Sequence, residues 1–311
     1  MAFFSIIIPL YNKENYVEKT LRSINNQTFV DFEVLIINDC STDSSIEKTI
    51  PFLSDKIKLF HHKTNKGLSA SRNTGIQNAN ADYITFLDAD DTWKPNFLET
   101  IHRLITNFPE ARIFGTNYEE VYKTQTLQPQ NGSENLAKHF EGIIDFFKIN
   151  LKQGIYNHGS VCFHKNVFEK AGYYDETIDF SEDIDFNIRA NYFFKLAYSN
   201  SIQMSYLMQS ENQLTTSSIL NKRLPDYDKY EAFANSNLTL KKYLDFERYV
   251  LSKHIKVDGN TILSKKIQNS IDVDNLNWKQ HLLLKSPVSL LKCFNKIKFL
   301  LIRLGFKFTS Y

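Results

Sequence analysis

The stretch YITFLDADDTW, residues 83–93, runs through apolar residues and then sets three carboxylates, Asp88, Asp90 and Asp91, within four positions. Charges of one sign so close repel, and packing them beside a buried strand costs solvation. A positive partner must offset that cost. A divalent cation is the first candidate, because hard cations take oxygen ligands and often keep only one or two protein carboxylates. Two more acidic places invite the same attention. Asp39 ends the run FEVLIIND at 32–39, and Glu182 with Asp183 opens SEDIDFNIR at 181–189. Ile184, Ile188 and Tyr192 follow at helical spacing, so both carboxylates fall in a first turn, where the helix dipole and free N–H groups stabilise negative charge.

These groups need elements to hold them. FFSIIIPL (3–10) and FEVLIIND are short apolar runs rich in β-branched and aromatic residues, as expected of parallel strands covered on both faces. Val17, Leu21 and Ile24 form a helical stripe between them. IKLFHH (57–62) and DYITFLDA (82–89) are two more strands, separated by a helix over 68–79. Pro95 suits the first turn of a further helix carrying Leu98, Ile101 and Ile105 inward. Alternating strand and helix implies an open α/β sheet, in which ligands bind beyond the carboxyl ends of the strands. NDCSTD and DADD both fall there. The polar, aperiodic segment 122–135 reads as a mobile loop, and from about Leu224 the pattern turns helical and basic.

Composition narrows the class. The chain has 311 residues, a hydrophobic share of 42% and a formal net charge of +2, which suits a globular chain with ample core and disfavours nucleic acid as a partner. Cys40, Cys162 and Cys293 are far apart, forming neither a metal motif nor a disulfide framework, which favours a reducing compartment. The first residues lack the basic region and cleavage site of a signal peptide, and no uncharged apolar run approaches the roughly 20 residues needed to span a bilayer. The expectation is a cytoplasmic protein.

The ordered pieces SIIIPLYN (5–12), VLIINDCSTDSS (34–45), NKGLSASRNTG (65–75), YITFLDADD (83–91), GSVCFHKNVFEKAGYYDE (159–176) and SEDIDFNIR (181–189) resemble the inverting glycosyltransferases of family 2. The resemblance implies the GT-A fold: α/β, Rossmann-like, a mixed open sheet flanked by helices. It covers roughly 3–220, divided into a nucleotide-sugar-binding half (1–100) and an acceptor half (101–220). A C-terminal helical region (221–311) with a basic amphipathic tail follows. The resemblance further implies Mn²⁺ or Mg²⁺ as cofactor and a nucleotide-sugar donor, UDP-linked. The acceptor would be a glycan or lipid-linked hydroxyl in surface polysaccharide assembly. Carried over residue by residue, Asp39 reads the base, while Pro9, Tyr11 and Asn12 shape the opposite wall. Arg72 approaches the nucleotide, Asp88 holds the ribose beside Ala89, Asp90 contacts the metal and Asp183 is the general base. Glu182 and Asp185 are alternative bases. Many relatives carry a histidine in a YRxH segment after the catalytic helix. This chain has YLMQSENQLTTS (206–217), with Gln209 and Ser210 in its place.

His61, His62, His158 and His164 have no partners at ligand spacing and read as structural, with His158 the exception that should line the acceptor site. At the C-terminus, Leu290, Phe294, Ile297, Leu301, Leu304 and Phe308 share one helical side, opposite Lys292, Lys296, Arg303 and Lys307. That pattern fits either a helix docked on the catalytic domain or one laid on an anionic membrane surface through 286–308, at the inner face of the cell membrane. Two rivals stand beside the transferase. A sugar nucleotidyltransferase would want a Gly-rich phosphate loop, and SIIIPLYNKENY has no glycine. A binding protein of the same fold without turnover is the other.

Overall fold

The computed structural model describes residues 2–211 and 218–303. In chain order the elements are β1 (Phe4–Leu10), α1 (Val17–Asn25), β2 (Phe32–Asn38), α2 (Ser45–Thr49), β3 (Ile57–His61), α3 (Leu68–Asn78), β4 (Tyr83–Phe86), β5 (Thr92–Trp93) and α4 (Phe97–Asn107). Then come β6 (Ile113–Val121), β7 (Thr126–Leu127), β8 (Glu141–Ile144), α5 (Phe146–Ile149), β9 (Val161–His164), α6 (Asn166–Ala171), α7 (Glu182–Phe193) and β10 (Leu196–Leu207). The helices α8 (Glu231–Ala234), α9 (Leu238–Asp258), α10 (Thr261–Asn269), α11 (Trp278–Lys285) and α12 (Val288–Arg303) follow.

One mixed sheet runs in the order β3-β2-β1-β4-β9-β6-β10-β5, with β7 beside β6 and β8 beside β10. β1 pairs in parallel with β2 and β4, and β2 with β3, so the first four strands deliver their carboxyl ends to one edge. β9 runs antiparallel to both β4 and β6, joining the first four strands to the rest of the sheet. Every residue of β2 is buried, and all of β1 but Pro9. Continuous apolar runs are what a strand covered on both faces requires, and each buried Ile, Val or Leu contributes about 1.5–3 kcal/mol. Val17, Leu21 and Ile24 of α1 pack under β1 and β2. On the other face α3 approaches β1 so closely that a methyl at Gly75 would overlap Ile7 Cγ2.

The helical C-terminal part shares a core with the sheet. Leu240, Tyr243, Leu244 and Tyr249 of α9 join Phe146, Phe147, Tyr156 and Phe186 in one apolar cluster. Asparagines start these helices: the side chains of Asn237, Asn260 and Asn277 accept from the backbone N–H groups of Leu240, Leu263 and Gln280. α12 rests on α9 through buried Leu291, whereas Leu290, Phe294 and Ile297 remain 41–46% exposed. Leu304, Lys307 and Phe308 lie outside the described residues. No described helix is long and apolar enough to cross a membrane.

Two expectations need correction. Pro95 stands ahead of α4 rather than in its first turn, with Asn96 between them as the helix-capping position. The 122–135 segment is tied down rather than loose. Thr126–Leu127 pair with β6, and the Asn131 amide is fully buried, donating to Asn117 Oδ1 and the Ile155 carbonyl. A buried amide must keep its hydrogen bonds, so those partners hold the segment in place.

Candidate active site

The turn after β1 carries Tyr11, Asn12 and Lys13. Tyr11 leaves its ring exposed. Asn12 adopts a left-handed φ of 51°, and its Oδ1 accepts the Thr42 N–H at 2.8 Å, fastening this turn to the one after β2. Cys40 and Ser181 also have positive φ, at 62° and 61°, next to Asp39 and Glu182 respectively. Two of the three non-glycine positive-φ residues among those described, Cys40 and Ser181, therefore stand beside acidic groups singled out above, and strain of this kind costs about 1–3 kcal/mol each. Pro9 remains inside β1, partly buried, opposite Ile37.

Asp39 is buried at the end of β2. Its Oδ1 accepts the Lys66 N–H at 2.8 Å and faces His62 Nδ1 at 2.7 Å, while Oδ2 accepts the Gly67 N–H at 2.8 Å. An ionised carboxylate only accepts, so Nδ1 carries the proton. His62 in turn meets Thr74 Oγ1 through Nε2 at 2.9 Å. The histidine therefore has a job, and it is to hold Asp39 still.

Beyond β4 the DADD turn splits in function. Asp91 points inward: its Oδ1 accepts the Leu207 N–H at 2.9 Å, and its buried Oδ2 has no partner. Burial, then Asp90 and Asp88, push its carboxyl well above the usual range. Ala89 is buried, its carbonyl accepting from the Thr20 hydroxyl. Asp88 stays partly open, raised by burial while Arg72 pulls the other way. Asp90 meets Lys13, whose Nζ lies 2.7 Å from Oδ2. The Ser210 hydroxyl bonds to the same oxygen. Gln209 shows no such contact among the described residues, so Ser210 is the residue of the 206–211 stretch that reaches Asp90.

Arg72, buried in α3, joins this cluster to α7. Its Nη1 donates to Glu182 Oε1 at 2.8 Å, its Nη2 lies 3.6 Å from Asp88 Oδ1, and its guanidinium rests over the Tyr174 ring. Burial opposes its charge, and Asp88 and then Glu182 more than offset that, holding it above the usual arginine range. Asp185, an alternative base, is spent on structure: it receives Tyr230, Lys229 and Arg189. Glu182 is spent on Arg72. Of these three carboxylates Asp183 is the one without a side-chain partner among the described residues; it accepts backbone N–H groups, that of Ile184 at 2.9 Å. Burial and neighbouring Glu182 raise its carboxyl to about 6. His158 does not face a cleft. It is buried against Phe86, bonded through Nε2 to the Tyr174 hydroxyl at 2.7 Å, and burial with Arg72 nearby keeps it neutral.

Asp88, Asp90, Glu182 and Asp183 thus outnumber Lys13 and Arg72, and a diphosphate would meet net repulsion without a cation. Among the described residues no three His, Cys, Asp or Glu side chains converge to hold a metal alone. A single carboxylate, Asp90, with Oδ2 taken by Lys13 and Ser210, would suit instead an Mg²⁺ or Mn²⁺ that shares its sphere with substrate phosphates and water. Sequence reasoning assigned no role to Lys13. The available signal was its position just past β1, at the strand edge where ligands bind.

Comparison with known proteins agrees with this architecture. The chain is 28% identical over 256 residues to EpsH of Bacillus subtilis (strain 168), which bears a provisional glycosyltransferase name; the match spans 77% of this chain and 71% of EpsH. It is 38% identical over 115 residues to an Escherichia coli enzyme, the UDP-Glc:alpha-D-GlcNAc-diphosphoundecaprenol beta-1,3-glucosyltransferase WfgD, across 37% of this chain and 45% of WfgD. Several other relatives are matched over less than half their length. The crystal structure of S. aureus TarS 1-349 in complex with UDP-GlcNAc superposes with a TM-score of 0.61 at 18% identity, covering 88% of this chain and 89% of that one, and establishes the GT-A fold. Residues 5–172 match the model of the family described as Glycosyl transferase family 2, and the chain belongs to that family.

Proposed function

We propose that this glycosyltransferase takes a UDP-linked sugar and transfers it, with inversion, to a hydroxyl of a glycan or lipid-linked acceptor in surface polysaccharide synthesis. The observation that carries the reading is that Asp183 has no side-chain partner among the described residues while Glu182 and Asp185 are engaged, and that burial and Glu182 raise it to about 6. A general base should be open to its substrate and poised near the working pH. Support for the donor comes from WfgD, whose name specifies UDP-Glc, and from TarS, solved with UDP-GlcNAc. WfgD also names a diphosphoundecaprenol-linked acceptor.

In this mechanism Asp39 accepts a ring N–H of the base, Tyr11 offers a stacking face, and Asp88 takes the ribose hydroxyls. Asp90 holds the cation, which when bound neutralises charge on the departing diphosphate. Asp183 removes the acceptor's proton as that oxygen attacks C1 from the face opposite the diphosphate. The C1–O bond breaks, its electron pair leaves with UDP, and no enzyme nucleophile is needed. The half-exposed Leu290, Phe294 and Ile297, beside exposed Lys292 and Lys296, would lay α12 on an anionic membrane where lipid-linked acceptors reside.

The test is turnover of UDP-sugars with Mn²⁺ by wild type and Asp183→Asn, alongside UDP binding. The reading expects the variant to bind UDP normally and to lose turnover. Transfer at the parental rate would remove Asp183 from the mechanism.

A further inference from the structure

Lys13 is not a surface lysine. Its side chain is 12% exposed, and its ammonium donates to Asp90 Oδ2 at 2.7 Å, the Glu211 carbonyl at 2.8 Å and Ser210 Oγ at 3.3 Å. Three donors meet three acceptors, so the head group is fully engaged. Its backbone is pinned separately, the Lys13 N–H donating to Ser45 Oγ at 2.7 Å. A fixed root and a flexible four-carbon stem let the charge move while the turn stays in place.

We propose that Lys13 is a switching ligand: it neutralises Asp90 until a cation-bearing nucleotide diphosphate enters, then passes its ammonium to a phosphate oxygen of that donor. The inference rests on the donor-site reading given above. Two positive charges cannot share Asp90 Oδ2 without strong mutual repulsion, so a cation arriving there displaces the ammonium. The displaced ammonium stays beside the pocket, where the incoming diphosphate carries more negative charge than any single carboxylate and is its strongest partner. Arg72 cannot take that part. It is buried, held by Glu182 and Asp88, and stacked on Tyr174. Lys13 is thereby a competitor of the metal and a ligand of the phosphates at once.

That double role predicts effects of opposite sign from one substitution. Mn²⁺ binding to the nucleotide-free protein, read by electron paramagnetic resonance, should be tighter in Lys13→Met and Lys13→Gln than in wild type. UDP binding in saturating Mn²⁺, read by calorimetry, should be weaker by roughly tenfold or more, the loss expected of one charge-assisted hydrogen bond. Uridine binding should be unchanged, and Lys13→Arg should stay near wild type in both titrations. A lysine that merely braces the 208–211 turn would weaken both ligands or neither, and either result in the folded Gln variant overturns the proposal. If wild type binds no UDP with Mn²⁺, the donor-site reading itself falls. If wild type binds UDP and the variants shift both affinities in one direction, only the switching role falls.

Discussion

Arg72 and Glu182, separated by 110 positions in the chain, form a buried ion pair with Nη1 2.8 Å from Oε1. The pair ties α3 to the first turn of α7, which carries Asp183. The two helices are thus registered by one guanidinium, whose other end faces Asp88.

Removing that guanidinium strands Glu182 without a counter-charge. Arg72→Met should destabilise the protein by about 3 kcal/mol, as breaking one side of a buried pair does. Urea denaturation of variant and wild type measures it, and a loss below about 0.5 kcal/mol would mean that the pair is only a surface contact.

The raised carboxyl of Asp183 sets a pH dependence. A base works ionised, so activity should rise about tenfold per pH unit below about 6 and level off above it. Burial is the largest cause of the raised value and Glu182 the next. Glu182→Gln removes the like charge, so its acid limb should move to lower pH. A limb that stays in place, or moves upward, would show that another group limits the rate.

Close approach of α3 to β1 depends on Gly75. A methyl there meets the buried Ile7 side chain, which has no room to retreat, so Gly75→Ala should cost about 1–3 kcal/mol through overpacking. The shift in denaturation midpoint with an unchanged slope reads it out.

The C-terminal helix offers a separate test. Ending the chain after Pro287 removes Leu290, Phe294, Ile297 and the lysines among them, and should release the protein from vesicles containing anionic lipid. Unchanged sedimentation would assign α12 wholly to its packing on α9.

What could be read from the sequence follows from where burial leaves a mark. β1 and β2 are apolar throughout, and the stripe of α1 is regular, so these elements and the strand-end position of Asp39 and Asp90 were legible. β6 and β10 were not read as strands. Their pleats carry Asn117, Glu119, Ser199 and Asn200, polar residues with partners far along the chain. The 122–135 segment looked loose for the same reason, because the amide that anchors it, Asn131, is buried by Asn117 and Ile155. Lys13 carried no local sign of its role. Its partner Asp90 lies 77 residues away, and only the parallel pairing of β1 with β4 brings the two turns together.

Asp90 is the proposed grip of the protein on a nucleotide-borne cation. Calorimetric titration of UDP into wild type and Asp90→Ala, each with and without Mn²⁺, measures that grip. Mn²⁺ should strengthen UDP binding to wild type by at least about tenfold, or about 1.4 kcal/mol, and leave the variant unaffected. Equal strengthening of both proteins would contradict it.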